Sequence, residues 1–525
     1  MFTLSYLQKI GLNSNNETTT IPAIPITTNG ESERIFNGKP DWVYEEEVIG
    51  DAKMFYWSSN GKYLAYTMLD DTNVKHIEFQ TYGSSSKIYP DMTDIAYPKP
   101  GTVNPIPTVF CVDIEQTLEN ESASETKVEF DLPRKELGDV DYVFYNIDWF
   151  KQSDRIIVWW MNRIQNESIP VWHNIDDAEF GSGNLLNYTI LAASGEKSET
   201  GWVGLHGPVP IRLMESTDEY FFQIKAKDGY QHVHLIFPFG NPDRDNMEDW
   251  VTDPDCVALT LGNVTVTSIL GARPNESTGK TVVVFQAAAA SAKDRNLYSI
   301  EWVQDCHGTY TVYDFDEDEW YCHSCKKCSW LGAATKECDT ELRAQYDITI
   351  LNREECLYAT ASSYCIEKSD YLSVSCYGPD IPSTIITKFT KSGHAFQTEY
   401  FKYEVEDNLK LVNNLEELEL PTVQYGKFPS KTGFEFQYEI WTPYKFKELN
   451  KLHPIIVEIY GGPTSQAVKS RWGFGLSSHY ATSNCEDSGC AHAIHVKLDG
   501  RGSGNEPVQT KIIGSTRVHF AFFFC

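Results

Sequence analysis

Two groups of residues in this sequence have side chains and spacings that suit chemistry. Residues 41–48 read DWVYEEEV, so that consecutive glutamates stand beside aromatic residues. Carboxylates flanked by aromatics suit an ammonium group, through charge-assisted hydrogen bonds and cation–π contact. Near the other end, YGGP at 460–463 follows an apolar run, and DGRGSG occupies 499–504. A tyrosine in a glycine-rich turn suits oxyanion stabilisation, whereas DGRGSG indicates a structural turn because it lacks the spacing of a nucleotide-binding loop.

Each group also has a simpler interpretation. A run of charges usually faces water, and a Gly-Pro turn is common without any function. A nucleophile motif would favour the catalytic interpretation, but the sequence contains no GxSxG, and Ser503 in DGRGSG lies one place too late for a nucleophile elbow. HExxH is absent from the sequence as well, so we expect neither a metal nor a cofactor.

Composition limits the class of protein. The chain has 525 residues, of which 41% are hydrophobic and 13% are aromatic. These values predict a globular protein of two or more domains that is rich in strands. The net charge of −30 repels phosphate backbones, so we expect no nucleic-acid partner.

Cysteine usage and glycosylation motifs indicate an oxidising compartment. Many of the 13 cysteines cluster between 306 and 376. This clustering favours disulfides, although CHSCKKC at 322–328, with Cys338, also has the spacing of a zinc knuckle. No apolar run could span a bilayer, and residues 1–10 lack the features of a signal peptide, so we expect an extracellular or cell-surface protein whose targeting segment is missing here. The candidate glycosylation sites are Asn16, Asn120, Asn166, Asn187, Asn263 and Asn275.

The chain from about 40 to 405 repeats one pattern, a polar turn followed by a short strand of aromatic and β-branched residues. The clearest example is 57–66, where Asn60-Gly61 favours a tight primed turn before a strand. Repeats of this kind without intervening amphipathic helices predict the four-stranded sheets of a β-propeller. An array of β-sandwiches is the alternative.

After about residue 410 the pattern changes to that of an α/β domain. The apolar runs at 454–460 and 493–498 predict buried parallel strands, and a helix could lie between them at 465–480. About 115 residues remain after 410, whereas a complete hydrolase domain of this class needs roughly 200 or more. The sequence therefore predicts a mainly β chain with an incomplete propeller at 1–407 and the first part of an α/β-hydrolase domain at 408–525.

Taken together, these motifs resemble the dipeptidyl peptidase IV family of the prolyl oligopeptidase class of serine peptidases. The resemblance runs nearly end to end. The matching motifs lie, in order, at 41–48, 57–66, 97–105, 163–166, 200–204 and 295–298, and at the two turns 460–463 and 499–504.

The resemblance implies a fold, an activity and roles for particular residues. In the family an eight-bladed propeller caps an α/β-hydrolase domain, and the enzyme removes dipeptides with proline or alanine second. Glu46 and Glu47 match the pair that holds the substrate's free α-ammonium group, and Tyr460 matches the tyrosine that stabilises the oxyanion. The implied partners are peptides with a free N-terminus and a second copy in a possible homodimer. The implied disulfides are Cys322 with Cys325 and Cys356 with Cys376.

Several departures from the family pattern bear on activity. Leu205-His206-Gly207 stands where the family often has a Phe-Arg pair, and Cys328 and Cys338 are extra. The resemblance implies that the chain begins within the propeller, without the family's membrane anchor. It also implies that the chain ends before the serine elbow and the Asp and His that follow, and triad hydrolysis needs all three.

We therefore expect a fragment or shortened form of such an ectoenzyme that is inactive alone. The alternative is a non-catalytic binding protein that uses the propeller as an interaction surface. A third hypothesis is that residues 514–525 are translated intron, because their Phe run would pack poorly.

Overall fold

A computed structural model gives the structure of the chain. It describes residues 10–12, 18–20, 24–83, 88–137, 142–197, 203, 211–227, 229–240, 255–275, 280–289, 291–303, 310–314, 319–323, 349–350, 355–369, 371–389, 398–416, 418–431, 435–446, 452–460, 465–482 and 493–500. The described residues fall into two compact units. Unit 1 lies within Met1–Val209 and Glu215–Glu219, and unit 2 lies within Pro210–Met214 and Tyr220–Val518.

Unit 1 is built from two large antiparallel sheets, and one parallel pair extends the first. Sheet A contains Ile35–Asn37, Phe55–Trp57, Tyr63–Asp70, Ile106–Asp113, Lys127–Phe130 and Leu185–Leu186. Sheet B contains Tyr142–Trp149, Arg155–Asn162, Glu167–Asn174, Thr189–Ile190 and Glu196–Lys197. Smaller elements are the strand pairs Ile10–Leu12 with Thr18–Thr20 and His76–Thr81 with Asp91–Ala96, and the helical segments Tyr44–Ile49, Ile114–Asn120, Arg134–Leu137, Ile175–Asp177 and Ala192–Ser194.

Unit 2 contains four further sheets and a mixed sheet. Sheet C contains Ile211–Leu213, Phe221–Lys227, Tyr230–Ile236 and Cys256–Ala258. Sheet D contains Thr260–Leu261, Tyr310–Asp314 and Glu319–His323, and sheet E contains Thr265–Asn275, Lys280–Ala288, Asn296–Val303 and Thr349–Ile350. Sheet F contains Tyr358–Ala361, Tyr371–Gly378, Ser383–Phe389 and Thr398–Glu406. The mixed sheet G runs Thr422–Pro429, Glu435–Thr442, Ile494–Asp499, Ile455–Ile459. The helices of unit 2 are Ser363–Lys368, Leu409–Glu416 and Leu476–Thr482.

The strand Lys280–Ala288 shows how the sheets of unit 2 pack. Val283 and Phe285 face a core shared with sheet C, while Val282 and Val284 face a core shared with sheet F. All four side chains are fully buried. Because successive side chains of a strand point to opposite faces, sheet E is covered on both sides. Antiparallel sheets stacked face to face in this way are the blades of a propeller.

The fold is therefore mainly β, with part of a β-propeller and a partial α/β domain, as the sequence predicts. The last strand of sheet F ends at Glu406, and the helix Leu409–Glu416 precedes sheet G. The domain boundary between 407 and 408, and the assignment of the second part to a hydrolase, stay predictions.

The predicted hairpin at 57–66 is confirmed, but its turn differs. Phe55–Trp57 pairs antiparallel with Tyr63–Asp70. The loop between them spans 58–62, which is longer than a two-residue primed turn. Gly61 takes a φ of 73°, and the Asn60 carboxamide oxygen accepts hydrogen bonds from the Ser58 hydroxyl at 2.8 Å and the Lys62 N–H at 3.0 Å. The side chain of Asn60 thus organises a wider turn.

The prediction for 454–460 is right about pairing and wrong about burial. Ile455–Ile459 pairs parallel with Ile494–Asp499. Its apolar side chains are nevertheless exposed, Ile455 by 61% and Ile459 by 66%. The side chains of a strand point to the two faces of its sheet, so their burial depends on what packs on those faces and not on the composition of the strand. The strand is also an edge of sheet G within the described residues.

Candidate functional site

The two glutamates singled out by the sequence lie on one helical turn of unit 1. Tyr44–Ile49 forms a π-helical turn, in which the Gly50 N–H donates to the Glu45 carbonyl oxygen at 3.1 Å. Glu46 is exposed and Glu47 is half-buried. Adjacent residues of a helical turn project about 100° apart, so the two carboxylates stand side by side on one turn without facing each other. Turns of this kind occur often at functional sites.

Asp41 anchors the start of this turn. Its carboxylate accepts hydrogen bonds from the backbone N–H of Tyr44 at 3.0 Å and of Val43 at 3.3 Å. Its carbonyl oxygen accepts from the Glu45 N–H at 3.0 Å. The Asp41 side chain is buried. Although it belongs to the acidic motif, this carboxylate satisfies free N–H groups at the start of the turn and does not face a ligand.

The aromatic residues of the motif hold the turn against unit 1. Tyr44 is buried, and its hydroxyl accepts a hydrogen bond from the Phe144 N–H at 3.2 Å. Trp42 packs on Tyr97, with ring centroids 4.4 Å apart. We predicted cation–π contact and shielding for the two aromatics of the motif. Burial makes Tyr44 an anchor that no ligand reaches, and Trp42, which is half-buried, is the aromatic left for that role.

A second buried carboxyl, Asp71, lies close to Asp41. Asp71 is fully buried, and among the described residues no N–H or hydroxyl donor reaches its carboxyl oxygens, whereas the Asp41 carboxyl lies within hydrogen-bonding reach. Burial, then the neighbouring Asp41 and Glu33, hold the pKa of Asp71 far above its usual range. Burial also raises the pKa of Asp41 to about 6. Ionising two adjacent buried carboxyl groups is energetically unfavourable, so the pair keeps one proton at neutral pH.

Tyr460, the candidate oxyanion residue, lies in unit 2. It follows the edge strand Ile455–Ile459 and is 64% exposed. Residues 461–464 lie outside the described part of the chain. Glu46 and Glu47 share one turn of unit 1, whereas Tyr460 belongs to unit 2.

The chain that follows this tyrosine turn is held by sheet G. The Asp499 carboxylate accepts hydrogen bonds from the backbone N–H of Ala467 at 2.8 Å and of Val468 at 2.9 Å. The Tyr425 hydroxyl donates to the Lys469 carbonyl oxygen at 3.2 Å. Asp499 is the first residue of the DGRGSG motif, and its carboxylate has a structural role, whereas residues 501–504 of the motif lie outside the described part of the chain.

A serine, an aspartate and a lysine also meet in unit 2. The Ser470 hydroxyl donates to the Asp294 carboxylate at 2.6 Å, and the Lys293 ammonium lies 2.8 Å from Asp294 and 3.0 Å from Ser470. Such a group resembles an activated nucleophile. Ser470 is fully buried, however, so no substrate can reach its hydroxyl. The cluster is a structural hydrogen-bond network.

The remaining predicted residues are placed as follows. Asn120, Asn187 and Asn263 are exposed, while Asn166 is half-buried and its carboxamide oxygen accepts from Asn162 at 2.6 Å. Asn16 lies outside the described residues, and Asn275 ends a strand. Cys356 and Cys376 form a disulfide, the pairing that the resemblance implies. Cys322 lies on the strand Glu319–His323, while Cys325, Cys328 and Cys338 lie outside the described residues.

The described residues offer neither a metal site nor a membrane-spanning helix. There, no group of three His, Cys, Asp or Glu side chains could hold a metal ion. None of the helices described above is long and apolar enough to cross a membrane.

The sequence did not indicate Asp71, Gln466 or Ser470. Each acts through a partner distant in the chain, and the Ser470–Asp294 contact joins residues 176 positions apart. No local spacing carries such a signal. The RNLY motif at 295–298 was the one hint, since it stood out without an assigned role.

Comparison with known proteins decides the family. A family model described as the dipeptidyl peptidase IV (DPP IV) N-terminal region matches residues 4–324, more than half of the chain. The chain belongs to the dipeptidyl peptidase IV family. Prolyl endopeptidase FAP of Mus musculus is 28% identical over 490 residues, which cover 92% of this chain and 52% of the relative. Dipeptidyl peptidase 4 of Sus scrofa is 26% identical over 479 residues, which cover 91% and 52%.

A solved structure agrees with the fold. The crystal structure of Porphyromonas gingivalis dipeptidyl peptidase 4 has a TM-score of 0.63 at 19% identity, and the match covers 93% of this chain and 54% of that one. The chain thus spans about half the length of the dipeptidyl peptidase IV relatives that it matches. Those relatives are peptidases by name.

Proposed function

We propose that this member of a serine peptidase family binds peptides by their free amino terminus, through Glu46 and Glu47. The carrying observation is the anchored turn: Asp41 and Tyr44 hold its backbone from the buried side, while Glu46 faces solvent and Glu47 is half-buried. A pre-organised pair of carboxylates can accept hydrogen bonds from an ammonium group without first ordering its own backbone. An ammonium group at the end of a peptide then sets where the bound chain begins.

The proposed substrate class follows from the family. Dipeptidyl peptidase 4 and prolyl endopeptidase FAP are peptidases by name. We carry over to the full-length protein the release of N-terminal dipeptides with proline or alanine in second place. In that reaction the Tyr460 hydroxyl would donate a hydrogen bond to the oxyanion. Its exposure at the end of a strand supports this role, because a donor must be open to the substrate.

Binding without hydrolysis is the second candidate for the 525 residues alone. One observation favours it: the sequence holds no GxSxG, and triad hydrolysis needs a nucleophile, a base and an acid. We expect no turnover of a glycyl-prolyl chromogenic substrate by the purified chain. Hydrolysis that a serine-directed inhibitor abolishes would contradict this expectation.

Isothermal titration with a Gly-Pro peptide tests the recognition pair. Glu46→Gln or Glu47→Gln should weaken binding about 10- to 100-fold, because a charge-assisted hydrogen bond contributes roughly 1.5–3 kcal/mol. Acetylating the peptide's amino terminus should weaken binding to the wild-type chain by a similar factor. Binding should also weaken above about pH 8, where the α-ammonium group loses its proton.

Glu45→Gln is the matched control, because Glu45 is an exposed glutamate of the same turn with no assigned role. It removes one negative charge at nearly the same place, so it measures the general electrostatic effect alone. Equal weakening by all three substitutions would reduce the site to an acidic patch. Equal affinity for free and acetylated peptides would refute the proposal.

We extend the proposal to the setting of the protein. The sequons and the Cys356–Cys376 disulfide support an extracellular or cell-surface location. Exposure makes Asn120, Asn187 and Asn263 the acceptors that glycosylation would use. A homodimer, and attachment to the membrane through an anchor outside this chain, follow from the family alone.

A further inference from the structure

We propose that Arg295 is a positioning residue for Tyr460 and acts on it through Gln466 and the segment 465–472. The proposal rests on the oxyanion role proposed for Tyr460. It also gives a role to the RNLY motif at 295–298, which the function described so far leaves unexplained.

Arg295 lies where two sheets of unit 2 meet. Its backbone N–H donates to the Leu357 carbonyl oxygen at 2.8 Å, and its own carbonyl oxygen accepts from the Ala359 N–H at 2.8 Å. These bonds join the start of one strand in sheet E to the first strand of sheet F. The guanidinium turns back on its own loop and donates to the carbonyl oxygens of Ala292 at 3.0 Å and Asp294 at 2.6 Å. The backbone at Arg295 is therefore rigidly placed.

The same guanidinium reaches the segment 465–472. It donates to the Gln466 carboxamide oxygen, across 171 positions of sequence, and the Gln466 amide donates to the Ala292 carbonyl oxygen at 2.7 Å. Arg295 is only 7% exposed, and burial lowers its pKa to about 10, so it stays charged at neutral pH. A buried guanidinium without these acceptors would carry a large desolvation cost. The contact between Arg295 and Gln466 is therefore strongly favoured in the folded protein.

Two further contacts fasten the same segment to the propeller sheets. The Ser470 N–H donates to the Lys293 carbonyl oxygen at 2.9 Å, and the Trp472 N–H donates to the Tyr377 carbonyl oxygen at 2.7 Å. Lys293 belongs to the loop of Arg295, and Tyr377 belongs to sheet F. The path of 465–472 is therefore set by the loop of Arg295 and by sheet F, in addition to Asp499 and Tyr425 of sheet G.

The consequence for Tyr460 follows from chain order. Tyr460 ends the edge strand of sheet G, and Gln466 comes six positions later. Edge strands have few partners to hold them, and Ile455–Ile459 pairs on one side only within the described residues. The contact at Gln466 supplies a fixed point just after Tyr460. In this way sheets E and F limit where the phenol can point.

The test places 3-fluorotyrosine at position 460 of the full chain and follows its ¹⁹F resonance. In Arg295→Met the resonance should move toward that of the unfolded chain, and amide hydrogen exchange in 465–472 should quicken at least tenfold. In Arg295→Ala, added guanidinium ion should restore the wild-type resonance. Gln466→Glu keeps an acceptor for Arg295 but loses the amide that donates to Ala292, so its resonance should lie between those of the wild type and Gln466→Leu, whereas Gln466→Leu should match Arg295→Met.

Arg212→Met is the matched control. Arg212 is a partly buried arginine of unit 2 whose ion pair with Glu367 involves no residue of the segment, so its loss should leave both readouts unchanged. If Arg295→Met does not fold, Gln466→Leu tests the same contact from the less buried side. An unmoved resonance in Gln466→Leu, with or without faster exchange, would overturn the proposal. Peptide binding at Glu46 and Glu47 is a separate readout, so failure of the recognition proposal leaves this result interpretable.

Discussion

The turn that carries Glu46 and Glu47 and the segment 465–472 are held in opposite ways. The turn is organised largely by its own neighbours: Asp41 caps it, and Gly50 ends it with a φ of 66°. The segment is held by residues far away in sequence, such as Asp294 and Tyr377. One site is therefore built from local hydrogen bonds and the other from the packing of separate sheets.

This difference decides what each site depends on. A local turn can keep its shape while distant parts of the protein change, because its hydrogen bonds close within a few residues. A segment fixed by three sheets loses its path when any of them shifts. We therefore expect recognition of the ammonium group to be robust, and the position of Tyr460 to be sensitive to remote substitutions.

The largest expected effect comes from Gly378→Ala. A Cβ on Gly378 would overlap the Ser470 carbonyl oxygen and lie 2.6 Å from the Trp472 backbone nitrogen. Neither backbone can yield without breaking the contacts of the segment. Overpacking of this kind costs about 3 kcal/mol or more. Urea unfolding followed by tryptophan fluorescence should show a lower midpoint, while peptide binding at Glu46 should persist.

Gly473→Ala is the control for that substitution. Gly473 lies one residue beyond the segment, and a Cβ there would meet nothing within 4 Å. Its unfolding midpoint should equal that of the wild type. If the two alanine variants behave alike, backbone contact at Gly378 does not hold the segment.

The same contrast explains what could be predicted from sequence. Local signals were sufficient to predict the hairpin at 57–66, and they singled out Glu46 and Glu47 without predicting the helical turn that carries them. The fold class followed from turns and strands repeated along the chain, which is also a sum of local signals. Ordered motifs then identified the family.

Burial and long-range contacts could not be predicted in this way. The run at 455–459 has the composition of a buried strand, but the burial of its side chains depends on what packs on the faces of sheet G, and its apolar side chains are largely exposed. Asp71 carries no local sign that it meets Asp41, because the two are brought together by the fold of unit 1. Gln466 and Arg295 likewise meet only after sheets E and F have formed.

The next largest effect is a gain of stability in Asp71→Asn. Because burial and Asp41 raise the pKa of Asp71, the folded protein binds more protons than the unfolded chain between the two pKa values. The stability that this proton contributes is fully present below the unfolded pKa of about 3.9 and is lost as pH rises through the folded pKa. The wild type should therefore lose up to about 1.4 kcal/mol per pH unit over that window, and Asp71→Asn should lose less.

Unfolding midpoints in urea at pH 5, 7 and 9 measure this difference. The urea midpoint of Asp71→Asn should rise relative to that of the wild type from pH 5 to pH 7 and again from pH 7 to pH 9. Asp70→Asn is the control, since Asp70 is the preceding carboxylate of the same strand end and is not fully buried. A gap between Asp71→Asn and wild type that stays constant with pH would show that Asp71 holds no unusual proton.

The smallest expected effect on stability comes from Asp41→Ala, and it tests whether the recognition turn is truly local. Loss of the cap to Tyr44 costs about 1 kcal/mol. Asp71 carries a proton at neutral pH, so removing the Asp41 carboxylate relieves little charge repulsion, and the urea midpoint should fall by an amount that corresponds to the lost cap. Peptide binding should also weaken severalfold, because the backbone that presents Glu46 and Glu47 frays.

Asp41→Asn keeps an oxygen that can accept from the Tyr44 N–H and should bind the peptide as the wild type does. Weak binding in both variants would mean that the charge of Asp41 attracts the ammonium group directly, and the turn would then act as a field of carboxylates and not as a positioned pair.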